Sequence, residues 1–182
     1  VERDGAAYLA YQDGNAHFNR NEFPAASEGF RRAFTLDSTF LAVAVRYGIS
    51  LYNEGRTAAV DSLANALAPR RAALSTFEAY YLDRLIAWNR GDLEAVLVAA
   101  RGMARAAPAP KTAQYMAARS AMFLNRLTEA RAELQKIDPN SPDLGGGEGN
   151  YMDLTAVCHL LGDHASELLW ARAWRATPRN SL

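Results

Sequence analysis

Five short breaks divide the sequence into segments of nearly equal length. Each break closes on a glycine or an asparagine, the two residue types that most readily adopt a positive φ and end a helix. The closing residues are Asn21, Gly55, Gly91, Asn125 and Gly162, so the steps between them are 34, 36, 34 and 37 residues. An acidic residue, which stabilises a helix N-terminus, follows three of them. The pattern predicts a helix, a tight turn and a second helix, repeated five times.

The composition favours helices throughout the chain. About a fifth of the residues are alanine, the strongest helix former. The sequence has no sustained alternation of apolar and polar residues and no hairpin turn between strand-like runs. The first helices of the five pairs are predicted at residues 5–20, 39–54, 76–90, 111–124 and 148–161. Their partners are predicted at residues 23–36, 57–69, 92–106, 127–137 and 163–176.

Local signals mark some of the helix ends. Ser75 and Glu78 predict a capping box at the start of the third pair. Pro108 and Pro110 separate the third pair from the fourth. The connection at residues 138–149 is the one long loop, and we interpret it as an insertion between repeats, with a functional flap as the alternative.

A step near 34 residues with two helices per unit resembles the tetratricopeptide repeat (TPR) family. The first repeat is the most similar, with Gly14, Ala26, Phe30 and Ala33 at four characteristic positions. The resemblance implies an all-α fold of the α-α superhelix class, a solenoid of about five antiparallel helix pairs whose first helices line a concave face. The chain is therefore predicted to be a single TPR-like repeat domain over residues 1–182. Its repeats would span residues 5–38, 39–72, 75–108, 111–139 and 148–178.

Small residues at matching positions predict close packing of the helices. Gly14, Gly48 and Ala118 lack bulk, so the two helices of a pair can approach each other closely there. Phe30 and Leu134 are expected to fill the space between neighbouring helices. A single pair cannot bury its apolar face, so stability is expected to come from stacking one pair on the next.

No catalytic, metal or cofactor site is predicted. His159 and His164 are five residues apart across the predicted turn at Gly162, so they are not expected to share a helical face as a metal-binding pair would. Cys158 lies in an apolar helix and is expected to be a core residue. The run Gly145–Gly147 has neither a following Gly-Lys-Ser/Thr nor a preceding strand, so it is not expected to bind phosphate.

Charge and hydropathy exclude two classes of partner. The 20 basic and 20 acidic residues balance, whereas a nucleic-acid binder needs clustered Lys and Arg, so no nucleic-acid partner is predicted. The longest stretch without a charged residue, 154–162, is far shorter than the ~20 residues that cross a bilayer, so no membrane insertion is predicted. The sequence leaves the cellular compartment open.

The resemblance implies that the inward-facing positions of the first helices contact a peptide. Aromatic residues recur at these positions, and such side chains dominate interface hot spots. We expect Tyr11, Tyr81, Tyr115 and Arg119 to be exposed in the groove, and Phe18, Tyr52 and Trp88 to lie nearer the core. The candidate binding residues are Tyr11, Asn15, Phe18, Tyr52, Tyr81, Leu85, Trp88, Asn89, Tyr115, Arg119 and Met122.

The sequence therefore predicts a non-enzymatic interaction module. Its partner would be a protein or peptide segment with apolar anchors, or another domain of the same chain. In its composition, rich in Ala and Arg, the chain is similar to repeat regions attached to bacterial signalling kinases and transcription regulators. We therefore interpret it as part of a larger protein. One alternative is self-association into a homodimer through the last helix, and another is an enzyme with a site near Cys158 and His159. The last-helix residues are Leu168, Leu169, Trp170 and Trp174.

Overall fold

A computed structural model describes residues 4–108, 111–139, 141 and 148–176. Within these ranges the regular structure consists of ten α-helices and one 3₁₀ helix, Ala68–Ala73, without any strand, so the prediction of an all-α fold is confirmed. The helices are α1 Gly5–Asn19, α2 Phe23–Leu36, α3 Leu41–Asn53, α4 Thr57–Leu67, α5 Thr76–Asn89, α6 Leu93–Ala106, α7 Lys111–Phe123, α8 Leu127–Leu134, α9 Glu148–Leu160 and α10 His164–Ala176.

All five predicted closing residues have a positive φ. The φ angles are 58° at Asn21, 74° at Gly55, 72° at Gly91, 57° at Asn125 and 71° at Gly162. At every turn the residue after the closing one donates its N–H to the carbonyl five residues earlier, at 2.9 to 3.0 Å. This is the Schellman motif, which satisfies the last carbonyls of a helix and reverses the chain. The predicted pattern of helix, turn and helix is confirmed at each break.

The chain forms two compact units. Unit 1 comprises Val1–Asp92 with helices α1 to α5, and unit 2 comprises Leu93–Leu182 with helices α6 to α10. The boundary passes between α5 and α6, the two helices of the predicted third repeat. The assignment of one domain with the repeat boundaries given above stays a prediction.

The helices of unit 1 pack closely at three glycines, of which Gly14 and Gly48 were predicted. A Cβ atom added to Gly14 would lie 2.8 Å from the Phe30 ring, and one added to Gly29 would lie 2.8 Å from the Gly14 Cα atom, so α1 and α2 nearly touch there. Phe30 is completely buried, as predicted. A Cβ atom on Gly48 would lie 2.5 Å from Leu85 Cδ2, so Gly48 makes room for α5 of the next pair as well as for α4.

Unit 2 has one core cluster that joins its helix pairs. The buried residues are Leu97, Ala118, Ala121, Ala130, Leu134, Leu154 and Val157. Leu134 is completely buried, as predicted, and so is Cys158. Apolar side chains from α6 to α9 therefore meet in a continuous interior, as expected for stacked helix pairs.

The capping box is observed at the start of α5, whereas most of the predicted long loop is not described. The capping box is confirmed, because the Ser75 side chain accepts a hydrogen bond from the Glu78 N–H at 3.2 Å and Glu78 Oε2 accepts one from the Ser75 N–H at 2.9 Å. The loop prediction for residues 138–149, including Gly145–Gly147, falls largely outside the described residues, as does Pro110. None of the described helices has the combination of length and apolarity that crossing a bilayer requires.

Candidate functional site

Two small cavities lie along the contact between α3 and α5 in unit 1, and we call this contact the α3–α5 seam. Cavity A has a volume of about 180 Å³ and is lined by Tyr11, Ala42, Val45, Arg46, Phe77, Glu78 and Tyr81. Cavity B has a volume of about 160 Å³ and is lined by Ile49, Tyr52, Asn53, Arg84, Leu85 and Trp88. Five of the predicted binding residues therefore line these two cavities.

The two cavities are related by a constant shift along both helices. Val45 and Tyr52 are equivalent positions of α3, and Tyr81 and Trp88 are equivalent positions of α5. Each pair is seven residues apart, which corresponds to about 10 Å at the rise of an α-helix. Each cavity is smaller than a typical pocket for a drug-sized ligand, which has ~300–1,000 Å³. The seam therefore offers two sites for single side chains, about 10 Å apart along the helices.

Two arginine side chains of the seam lie over aromatic rings. The guanidinium carbon of Arg46 lies 5.7 Å from the centre of the Phe18 ring, and that of Arg84 lies 5.3 Å from the centre of the Trp88 ring. Burial raises the pKa of the Tyr81 phenol, whereas the charges of Arg46 and Arg84 act to lower it. Both arginines thus act electrostatically on the tyrosine in cavity A.

The single acidic side chain among the lining residues of the two cavities is already engaged. Glu78 lines cavity A, but its carboxylate belongs to the capping box at the start of α5. Its charge is therefore directed to the first turn of the helix, where it complements the helix dipole. Apart from Glu78 and Asn53, the lining of the two cavities is aromatic, aliphatic and basic.

Three other candidates in unit 1 are placed differently. Phe18 packs edge-on against Phe23 with ring centres 5.6 Å apart, so it belongs to the aromatic core of the first pair, as expected. Asn89 donates to Asp61 Oδ1 at 2.9 Å and thereby ties α5 to α4. Asn15 is half-buried, and its Oδ1 atom has no hydrogen-bond partner within the described part of the chain. None of these three lines either cavity.

The candidates in unit 2 form a polar contact instead of lining a cavity. The Tyr115 hydroxyl donates to Asp153 Oδ2 at 2.7 Å, and Arg119 Nε lies 3.4 Å from the same oxygen. Burial, and then the hydrogen bond to Asp153, raise the pKa of Tyr115. Met122 packs against the core cluster of unit 2. Tyr115 is half-buried and its hydroxyl helps to hold α7 against α9, while its expected role in a groove stays a prediction.

A larger cavity of about 480 Å³ was missed by the sequence reasoning. It lies between α6, α7 and α8 and is lined by Arg101, Ala104, Arg105, Lys111, Gln114, Ala117, Glu129, Glu133 and Lys136. Arg101 pairs with Glu129, and Lys136 pairs with Glu133 at 3.0 Å. Both lysines of the chain line this cavity.

The turn between α9 and α10 brings two histidines and a glutamate together. The rings of His159 and His164 lie 5.8 Å apart, centre to centre, although the two residues stand on different helices and share no helical face. Both rings contact the Glu167 carboxylate. The neighbouring Cys158 is different, because burial raises the pKa of its thiol and disfavours the reactive thiolate.

The comparisons with known proteins give structural but not sequence matches. The sequence matches no protein-family model and no curated protein. It is similar to the solved structure "MamA 41-end from Desulfovibrio magneticus RS-1", with a TM-score of 0.66 and 16% identity over 99% of both chains. The "MamA RS-1 ArsTM double mutant" gives a TM-score of 0.64 and 16% identity, covering 96% of this chain and 95% of that chain. A third structure, "Crystal structure of MamA protein", gives 0.58 and 12% identity, covering 93% of this chain and 90% of that chain.

MamA is a TPR-like helical protein. The chain has a TPR-like fold. Its described helices form antiparallel pairs of the α-α superhelix class, as predicted. At identities of 12 to 16% the similarity shows the fold alone.

The TPR-like register relates equivalent positions in the five repeats. Counting from the residue with positive φ, we compare the positions three before, two after and five after it. They carry Phe18, Phe23 and Ala26; Tyr52, Thr57 and Val60; Trp88, Leu93 and Val96; Met122, Leu127 and Ala130; and His159, His164 and Glu167. The first four sets are largely apolar, and the fifth is polar throughout.

Proposed function

We propose that this chain is a non-enzymatic interaction module and that the α3–α5 seam of unit 1 binds a segment of a partner protein. The observation that carries the proposal is the pair of cavities A and B. Each has room for one side chain, and both combine aromatic walls with an arginine. Aromatic residues and arginine are the residue types enriched in interface hot spots.

The seam also indicates the chemistry of its partner. Two apolar side chains about 10 Å apart on one face would fill the two cavities, and in an extended peptide of polyproline II conformation, with 3 residues per turn and a rise of ~3.1 Å, these are residues i and i+3. Arg46 and Arg84 favour an acidic group beside these anchors, since charge complementarity across an interface gives specificity. We therefore propose an extended segment with two large apolar residues and at least one Asp or Glu between them.

The fold supports this proposal in general terms. A TPR-like arrangement places the first helices of successive pairs side by side, and α3 and α5 are the first helices of the second and third predicted repeats. Fold similarity by itself does not assign a function. The proposal therefore depends on the cavities and their charges, and the wider candidate list, including Tyr115 and Arg119, stays a prediction.

Charge reversal at Arg46 tests the proposal. The probes are fluorescently labelled nine-residue peptides in which Phe at i and Leu at i+3 flank either two Glu or two Lys residues. We expect the wild-type chain to bind the Glu peptide, and Arg46→Glu to weaken that binding at least tenfold and to favour the Lys peptide, because the charge at cavity A is inverted. Fluorescence polarisation titrations measure both affinities.

The matched control is Arg70→Glu, which changes the charge of unit 1 equally in the 3₁₀ helix, away from both cavities. Circular dichroism verifies that each variant keeps its helices. Equal binding of the Glu and Lys peptides by the wild-type chain would contradict the proposal, as would an equal loss of affinity in Arg46→Glu and Arg70→Glu.

Self-association is the second candidate, and one observation favours it. Helix α10 has no buried residue, and its Leu168 and Leu169 are 51% and 62% exposed. Two adjacent exposed leucines on one helix could be buried in a homodimer. If so, sedimentation velocity will show a sedimentation coefficient that rises with protein concentration, and Leu168→Lys with Leu169→Lys will abolish the rise. A wild-type monomer at all concentrations would exclude this candidate.

A further inference from the structure

The turn between α9 and α10 brings together three side chains that can ligate a metal ion. His159 lies near the end of α9, His164 begins α10, and Glu167 follows one turn later. Glu167 Oε1 lies 3.1 Å from His159 Nδ1, and Glu167 Oε2 lies 2.9 Å from His164 Nδ1. We propose that His159, His164 and Glu167 form a binding site for a divalent transition-metal ion, with Zn²⁺ as the reference ion.

The distances between the ligand atoms suit such an ion. In a tetrahedral Zn²⁺ site, bonds of ~2.0–2.1 Å place neighbouring ligand atoms about 3.3 Å apart. One carboxylate oxygen, Glu167 Oε2, lies 2.9 Å from His164 Nδ1 and 3.2 Å from His159 Nδ1, and the ligand atoms of all three residues lie within 4.8 Å of one another. Both imidazole rings are exposed, so they are free to turn their nitrogen lone pairs toward an ion.

The donor set determines the class of metal. Two imidazole nitrogens and one carboxylate oxygen suit Zn²⁺, Ni²⁺, Cu²⁺ and Co²⁺, whereas Mg²⁺ and Ca²⁺ prefer an all-oxygen set. The same combination of two histidines and one glutamate occurs in Zn²⁺ sites that keep a fourth position for water. The His159 and His164 side chains are 63% and 71% exposed, so water can reach the fourth position here.

The position of the three residues in the repeat supports a specific role. Elsewhere in the chain the corresponding positions are largely apolar. The four residues that stand five after the turn, Ala26, Val60, Val96 and Ala130, are completely or almost completely buried. In the first repeat Phe18 contacts Phe23, with ring centres 5.6 Å apart. The corresponding contact in the last repeat is the one between His159 and His164, whose ring centres are 5.8 Å apart. In the last repeat, ligand-type residues thus replace an apolar contact while the geometry is kept.

The turn that presents these ligands is fixed by hydrogen bonds. Asp163 donates its N–H to the Cys158 carbonyl at 2.9 Å, which closes the Schellman motif. The Asp163 carboxylate accepts the Ser166 N–H at 3.1 Å, which caps α10, and it pairs with Arg131 of α8 at 3.2 Å. A preorganised backbone lowers the entropy lost when the ligands are ordered around an ion.

Titration of the untagged 182-residue chain with ZnCl₂ by isothermal calorimetry tests the site. We expect one ion per chain, and at least a tenfold rise in the dissociation constant for His164→Ala and for Glu167→Gln, because two ligands remain where the site needs three. Substitution of Co²⁺ provides a second readout, since its visible absorption reports nitrogen and oxygen ligation directly.

The matched control is His17→Ala. His17 also contacts two carboxylates, those of Asp13 at 3.7 Å and Glu22 at 2.5 Å, but it has no second histidine beside it. We expect this variant to bind Zn²⁺ as the wild-type chain does. An equal loss of affinity in His17→Ala and His164→Ala would overturn the proposal, and so would the absence of saturable binding below about 1 mM Zn²⁺.

A third variant separates metal binding from folding. His159→Phe with His164→Phe installs the aromatic pair that Phe18 and Phe23 form in the first repeat, so the helices are expected to stay folded. We expect this variant to keep its helical circular dichroism and to lose Zn²⁺ binding. A folded variant that still binds Zn²⁺ with the wild-type affinity would overturn the proposal.

Discussion

Gly29→Ala is expected to lower the free energy of unfolding by about 2 kcal/mol, although alanine is the better helix former. Helix propensity alone predicts a gain of ~1 kcal/mol for glycine to alanine inside a helix. The added Cβ atom, however, would lie 2.8 Å from both the Cα and the N atom of Gly14. Backbone atoms cannot rotate away as a side chain can, so α1 and α2 must separate, and such overpacking typically costs ~1–3 kcal/mol and occasionally more. The free-energy cost of the clash is expected to outweigh the gain in helix propensity.

Urea denaturation followed by far-UV circular dichroism measures this change, with Gly5→Ala as the matched control. A Cβ atom on Gly5, at the start of α1, would have no neighbour within 4 Å. The control is therefore expected to be neutral or to gain a few tenths of a kcal/mol, roughly in line with its propensity. If both variants gain stability, the close contact between α1 and α2 is contradicted.

The repeat pattern could be predicted because its chemistry is local. A Schellman turn needs a residue that tolerates positive φ, and glycine or asparagine at each break supplies it within a few residues of sequence. The predicted first helix at residues 5–20 and the observed α1, Gly5–Asn19, agree closely for that reason. The 3₁₀ helix Ala68–Ala73 was not predicted, since the α4 pattern runs directly into it and Pro69 suits the first turn of either kind of helix.

Contacts between distant segments could not be predicted in the same way. Gly14 was recognised from its position in the repeat, but its partner Gly29 has no local signal beyond being a glycine inside a helix. The contact between His159 and His164 was missed because the turn was treated as the end of one helical face. A Schellman turn reverses the chain, so residues on its two sides meet, and the ring contact at 5.8 Å follows from that reversal.

The seam was predicted in part. The aromatic positions Tyr52, Tyr81 and Trp88 were chosen from their register relative to the turns, and all three line a cavity. Arg46 and Arg84 were missed, because each lies one residue away from an inward-facing apolar position of its helix, Val45 and Leu85. Which of two adjacent helical residues faces a neighbouring helix depends on how the pairs stack, and spacing along one helix does not fix that.

Tyr115→Phe is expected to lower the free energy of unfolding by about 2 kcal/mol at neutral pH. The Asp153 side chain is only 7% exposed, and Tyr115 is the hydroxyl that donates to it, at 2.7 Å. Phenylalanine keeps the ring but removes the donor, and a buried acceptor that loses its partner costs ~1–3 kcal/mol, more when it is charged. Arg119 remains at 3.4 Å and keeps part of the charge compensated.

The stability difference between wild type and Tyr115→Phe is expected to depend on pH. Burial and the hydrogen bond to Asp153 raise the pKa of Tyr115 in the folded chain above the value of ~10 for an exposed tyrosine. Above pH ~10 the unfolded chain therefore holds fewer protons at this residue than the folded chain, so stability must fall as the pH rises. The contribution of Tyr115 is complete below pH ~10 and is lost progressively above it. The stability difference between wild type and Tyr115→Phe should shrink accordingly.

Urea denaturation of both chains at pH 7, 9 and 10.5 measures that difference, with Tyr8→Phe as the control. Tyr8 is 47% exposed, so removing its hydroxyl should change stability by less than about 0.5 kcal/mol at every pH. A gap between wild type and Tyr115→Phe that stays constant to pH 10.5 would contradict the raised pKa. The absence of a gap at pH 7 would contradict the hydrogen bond itself, and with it the polar contact that holds α7 against α9.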